Sequence, residues 1–62
     1  MTRQKFQAKI KSKFRDIPVE FHHFGGKHLA VVADEGITIS ANTKSNRITV
    51  TWGAGHCAMG TL

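Results

Sequence analysis

The chain lacks a second cysteine, so Cys57 cannot close an intramolecular disulfide, and no Cys-x-x-Cys pair offers a metal framework instead. No stretch approaches the roughly 18 apolar residues that a membrane span requires. The basic start, Met1-Thr2-Arg3-Gln4-Lys5, leads into no apolar segment of the secretory-signal kind. A lone cysteine without such a signal points to a reducing, cytoplasmic setting. Tyrosine is absent and Pro18 is the sole proline, and neither fact excludes a fold. Acidic residues are missing from the first fifteen positions, and that absence carries more meaning.

Those fifteen positions hold Arg3, Lys5, Lys9, Lys11, Lys13 and Arg15. The remainder sets Lys27, Lys44 and Arg47 against Asp16, Glu20, Asp34 and Glu35, so the net charge of +5 is an N-terminal property. Charge segregated in this way implies a polyanionic partner or an acidic protein patch. Sixty-two residues allow one domain, residues 1–62. A chain this short buries only about 60% of its unfolded surface, and such domains gain stability by oligomerising or by closing a tight barrel.

From Val19 onward the pattern is that of strands. Val19, Phe21 and His23 alternate with Glu20, His22 and Phe24 up to Gly25-Gly26. His28 to Ala33 is a continuous apolar run of the kind found in strands buried on both faces. Asp34-Glu35-Gly36 predicts a three-residue hairpin loop with Gly36 in the left-handed conformation. Ile37, Ile39 and Ala41 then point inward along one strand, and Ile48, Val50 and Trp52 along the next.

The N-terminal segment satisfies two periods. Phe6, Ala8 and Ile10 alternate with Lys5, Gln7, Lys9 and Lys11, and the alternation runs on to Phe14, as in a strand with one apolar and one basic face. Phe6, Ile10, Phe14 and Ile17 also lie at helical spacing behind Thr2, a possible N-cap. The long unbroken alternation favours the strand, although Lys, Gln and Ala prefer helices. The fold expected is mainly β, a small antiparallel barrel or strongly bent sheet of about five strands. The alternative is an N-terminal amphipathic helix packed on a four-stranded antiparallel sheet.

The basic segment is the strongest functional signal. On a strand, alternate residues such as Lys9, Lys11 and Lys13 stand about 6.6 Å apart, since each residue rises about 3.3 Å. That approaches the roughly 6–7 Å between phosphates of an extended nucleic-acid strand. Arg3 and Arg15 extend the stripe, and Arg15 can grip a phosphate in two places. The bland reading is a solvated edge strand whose lysines deter aggregation, and it carries equal weight. Phe14, Phe21, Phe24 and Trp52 could stack on unpaired bases. Phe24, out of phase beside Gly25, is the one most suited to exposure, and Phe6, Phe21 and Trp52 read as core.

His22, His23, His28 and His56-Cys57 offer nitrogen and sulfur donors, but His22 and His23 project from opposite faces of a strand and cannot ligate together. Hydrogen-bonding or surface histidines are the stronger reading, and no cofactor is implied. Gly53-Ala54-Gly55-His56-Cys57-Ala58 matches G-x-G-x-x-A formally, yet the helix and second strand that dinucleotide binding needs do not follow it. A flexible turn into a short last segment, residues 57–62, is the simpler account, with that segment an edge strand or docking tail. His56 and Cys57, adjacent and without an orienting third group, do not make a catalytic pair.

The reading is a binding module rather than an enzyme. It binds nucleic acid, single-stranded by preference, through Arg3, Lys5, Lys9, Lys11, Lys13, Arg15, Phe14 and Phe24, with little sequence readout. The alternative is a protein-interaction module or inhibitor that docks on an acidic surface or adds a strand to a partner's sheet. Self-association is compatible with either. Binding at an anionic membrane surface would require residues 2–17 to be helical. In size and charge the chain is similar to small accessory proteins encoded by phages, a likeness that covers no motif and transfers no residue. Elemental analysis of the purified protein should find no stoichiometric zinc, and a chelator should leave its Tm unchanged. One zinc per chain, with unfolding on chelation, would contradict the histidine reading.

Overall fold

A computed structural model describes residues 1–61. An N-terminal helix, α1 (Arg3–Lys13), precedes five strands: β1 (Glu20–Phe24), β2 (Lys27–Val32), β3 (Ile37–Asn42), β4 (Arg47–Trp52) and β5 (His56–Thr61). The strands form one antiparallel sheet in the order β1-β2-β3-β4-β5. The fold is mainly β, as expected. The sheet is bent over its helix rather than closed into a barrel.

The strand expected over residues 5–14 is corrected to a helix. Phe6 and Ile10, four residues apart, are both completely buried on one side of α1, which a strand could also achieve. What separates the two is local. The Thr2 side chain accepts a hydrogen bond from the Lys5 backbone N–H at 3.2 Å, which caps the first turn. Lys, Gln and Ala fill the intervening positions, and Lys11 and Lys13 in the last turn complement the helix dipole. The chain also supplies its fifth strand from its other end, since β5 pairs with β4 from Trp52↔His56 to Arg47↔Thr61. A pairing partner from the N-terminus is therefore not needed. Within the last segment, Leu62 lies outside the described residues.

The turns follow residue chemistry closely. Gly25 and Gly26 both take positive φ, +56° and +75°, as a two-residue turn matched to strand twist requires. Between β2 and β3, Ala33–Glu35 form one 3₁₀ turn and Gly36 closes it at φ +65°, ψ +33°. The loop is thus one residue longer than expected, with its glycine in the expected conformation. Asn42 holds the β3–β4 turn, its Oδ1 accepting from the backbone of Lys44 and Ser45 at 2.8 and 3.0 Å.

Register divides the sheet into two faces. The partners His23↔His28↔Ala41↔Ile48↔Gly60 and Phe21↔Ala30↔Ile39↔Val50↔Ala58 share the face under α1. The core is Met1, Phe6, Ile10, Ala30, Ile39 and Ala41, with Phe14, Val19, Phe21, Ile37, Ile48 and Val50 packed around it. β2 is therefore not buried on both faces: His28, Ala30 and Val32 are covered, whereas Leu29 and Val31 are half-exposed on the other side. Every residue of β5 is exposed. Trp52 belongs to the helix-side face, as its partner Ile37 shows, yet it is 40% exposed because α1 lies over the other half of the sheet.

Gly36→Val should cost about 1–3 kcal/mol, because a β-branched residue resists the left-handed conformation. A Cβ there meets nothing within 4 Å, so the cost is conformational. Gly36→Asn should cost less, since Asn tolerates that region. Urea denaturation measures both, and equal midpoints for all three proteins would contradict this turn.

Candidate functional site

α1 distributes its cations on two flanks. Lys5, Lys9 and Lys13 recur every four residues and form one row, each residue four places on lying about 6 Å further along the axis. Arg3 and Lys11 belong to the other flank. That second flank faces β1, since the Gln7 amide donates to His23 Nε2 at 2.9 Å and the Lys11 ammonium stands 5.8 Å from the centre of the Phe21 ring. The Lys5–Lys9–Lys13 row consequently lies on the flank turned away from β1, the side on which β5 and Trp52 are exposed. All three lysines are exposed, as are Arg3, Lys11 and Arg15. Among the described residues the one contact of salt-bridge length joins His22 and Glu20 at 3.8 Å, so these cations have no acidic partner.

The aromatic candidates separate. Phe24 is 60% exposed but projects from the face opposite α1, remote from the lysines. Phe14 is half-buried and packs on the core. Phe21 packs edge-on against Phe6, with ring centres 6.2 Å apart. The accessible ring on the helix side belongs to Trp52, which sequence reasoning placed in the core. It stacks on His56 across the β4–β5 turn at 5.7 Å and 16°. Alternation alone could identify its face but not the reach of the helix.

A chain of hydrogen bonds ties α1 to the sheet. The Met1 carbonyl can only accept, so His28 Nε2 carries the proton in their 3.0 Å contact. In a neutral His28, Nδ1 then accepts, and His23 Nδ1–H donates to it at 2.8 Å. His23 Nε2 is left to accept from Gln7. His28, though buried, is fully satisfied, and it stacks on Phe6 at 5.5 Å. The Met1 amino group donates to the carbonyls of Thr43 and Ser45, both at 3.0 Å, and fastens the start of α1 to the β3–β4 turn.

The fold also collects charge. Lys27, Lys44 and Arg47 lie in or beside the β1–β2 and β3–β4 turns, at the end of the sheet where α1 begins. Asp34 and Glu35 occupy the β2–β3 turn at the opposite end, with Glu20 opening β1 there. Charges that look balanced along the sequence are thus separated in space.

Other constellations are not assembled. His22 and His23 project from opposite faces, and among the described residues no group of three or more His, Cys, Asp or Glu could hold a metal ion. Gly53-Ala54-Gly55 is the β4–β5 turn and leads into a strand, not a helix. His56 and Cys57, successive on β5, point to opposite faces. No helix is long and apolar enough to cross a membrane. The apolar side of α1 is occupied by the sheet, so it has no free face to lay on a bilayer. No protein family, curated protein or solved structure matches the chain.

Folding holds the His23 pKa below its ordinary value near 6.5, first by desolvation, then by the charge of Arg3 and by His28 and His22. The fold therefore prefers neutral His23. Its contribution is fully present above pH 6.5 and is lost as pH falls from there toward the depressed folded-state value. Urea midpoints should decline below about pH 6.5, and His23→Gln should flatten that decline. An identical pH dependence in the variant would contradict the neutral hydrogen-bond chain.

Proposed function

We propose that the chain is a non-catalytic binding module for single-stranded nucleic acid, with the Lys5–Lys9–Lys13 row following phosphates and Trp52 stacking on a base. The observation that carries this reading is the unpaired lysine row on the flank of α1 away from β1, the side of the sheet on which β5 and the Trp52 indole are exposed. Its repeat of about 6 Å approaches the roughly 6–7 Å phosphate spacing of an extended strand. A basic groove with an aromatic platform suits sequence-tolerant binding, because every base has a face to stack. Arg3, Lys11 and Arg15 act as outlying charges, and Phe14 and Phe24 leave the binding set. An exposed, free Cys57 accords with a reducing, cytoplasmic setting.

One observation favours a second reading. β5 is an edge strand without a formal charge or proline, and it is exposed along its whole length. Sheets normally protect such edges, so β5 offers a template for strand addition by a partner protein or a second copy. This is the route by which the chain would act as an inhibitor or phage-type accessory protein.

Fluorescence anisotropy on a short labelled single strand across a salt series tests the first reading. Three neutralised phosphates imply a log–log slope near −2, or roughly a 20-fold loss between 50 and 200 mM salt. Lys5→Gln with Lys9→Gln should flatten the slope by about 1.4, and Trp52→Ala should cost about 1–3 kcal/mol. Lys11→Gln should do little, since Lys11 occupies the other flank. Absence of binding at 50 mM salt, or a slope indifferent to Lys5 and Lys9, would contradict this reading and favour β5 as the binding element.

A further inference from the structure

On the face opposite α1, the β3–β4 turn overhangs a cleft of about 280 Å³ lined by Lys27, Ser40, Asn42, Ser45, Arg47 and Thr49, together with Ala41 and Met59. Apart from Ala41, whose side chain is in the core under α1, these residues stand clear of the helix. We infer that this cleft is a binding site for a phosphate group, with Lys27 and Arg47 closing on the anion from two sides.

Register supplies the geometry. Lys27 lies directly opposite Asn42, and Asn42 and Arg47 continue the β3–β4 ladder one step beyond Ala41↔Ile48. The two cations are thus two strand spacings apart, about 10 Å at the backbone, and long side chains close that distance around a tetrahedral anion. Ser40 and Thr49 face each other two steps deeper, on the same face, and put two hydroxyls into the cleft.

The lining is a donor set without a carboxylate. Asn42 Oδ1 is engaged by two backbone N–H groups of the turn, which leaves the side-chain amide hydrogens for a ligand. The Arg47 N–H bonds to Ser45 Oγ at 3.3 Å, which anchors the turn beside the guanidinium. Neither Lys27 nor Arg47 has an ion-pair partner among the described residues, and three of the four acids sit at the far end of the sheet. Two like charges beside one cleft repel, and a dianion converts that repulsion into charge-assisted hydrogen bonds. Arg47 can engage two oxygens at once. A phosphate alone leaves room in the cleft for an attached sugar, so a nucleotide phosphate and free phosphate are the two sources of this chemistry.

The site stands apart from the α1 reading, and so does its test. In ¹⁵N–¹H spectra of the full chain, inorganic phosphate should produce saturable shifts at Lys27, Asn42, Ser45 and Arg47. Arg47→Gln should weaken binding at least about tenfold, Arg47→Lys should weaken it less by keeping the charge without the fork, and the Lys5→Gln, Lys9→Gln protein should bind as before. Dispersed spectra of each variant establish that it is folded. Adenosine 5′-monophosphate binding more tightly than phosphate would assign the site to nucleotides, and equal affinity to the free anion. Shifts that never saturate, that spread over the α1 lysines, or that survive in Arg47→Gln would overturn the inference. Failure of the oligonucleotide experiment alone would leave this site untouched, because it involves other residues on the other face.

Discussion

Two side chains without any solvent exposure, Phe6 and Ile10, hold α1 against the sheet, and the rest of the molecule is arranged around that contact. Each contributes on the order of 1.5–3 kcal/mol by leaving water, a large share of the stability available to a domain this small. Phe6 reaches Phe21, His23 and His28, and Ile10 continues the same line. The helix therefore settles over β1 to β3. A single helix of eleven residues does not cover five strands, and what it leaves open is the Trp52 end of β4 and the whole of β5, with His56 and Ala58.

The same contact orients the charge. With Phe6 and Ile10 turned down and Gln7 engaged with His23, helical geometry leaves Lys5, Lys9 and Lys13 no place but the flank turned away from β1. Cations gathered without acids destabilise a folded chain slightly through mutual repulsion and favour a polyanionic partner. The sheet adds to this polarity by placing Lys27, Lys44 and Arg47 at one end and Asp34, Glu35 and Glu20 at the other. A polyanion approaching the α1 end of the molecule meets cations on both faces.

Much of this was legible in the residues, and the failures have physical causes. β1, β3 and β4 follow from alternation, β2 from a short apolar run, and all are bounded by turn residues with few alternative conformations, above all Gly25-Gly26 and Gly36. The N-terminus misled because Phe6, Ile10 and Phe14 satisfy a period of two and a spacing of four together. Thr2, whose hydroxyl caps the helix, was the discriminating residue. The apolar run from His28 to Ala33 looked doubly buried, but periodicity does not reveal that only one layer covers the sheet. Trp52 was assigned to its correct face and the wrong environment for the same reason. The cleft between Lys27 and Arg47 depends on strand register across twenty residues of sequence, which no local pattern encodes.

On the function proposed above, nucleic acid lies along the helix-side face between the lysine row and the exposed Trp52 and β5. Trp52 is the only tryptophan in the chain, so its emission reports on that face alone. Titrating an unlabelled single-stranded oligonucleotide at low salt should quench Trp52 fluorescence to saturation as a base stacks on the indole. Lys5→Gln with Lys9→Gln should move the midpoint to higher oligonucleotide concentration. Oligonucleotide binding that leaves the Trp52 emission unchanged would place the strand elsewhere and contradict the account.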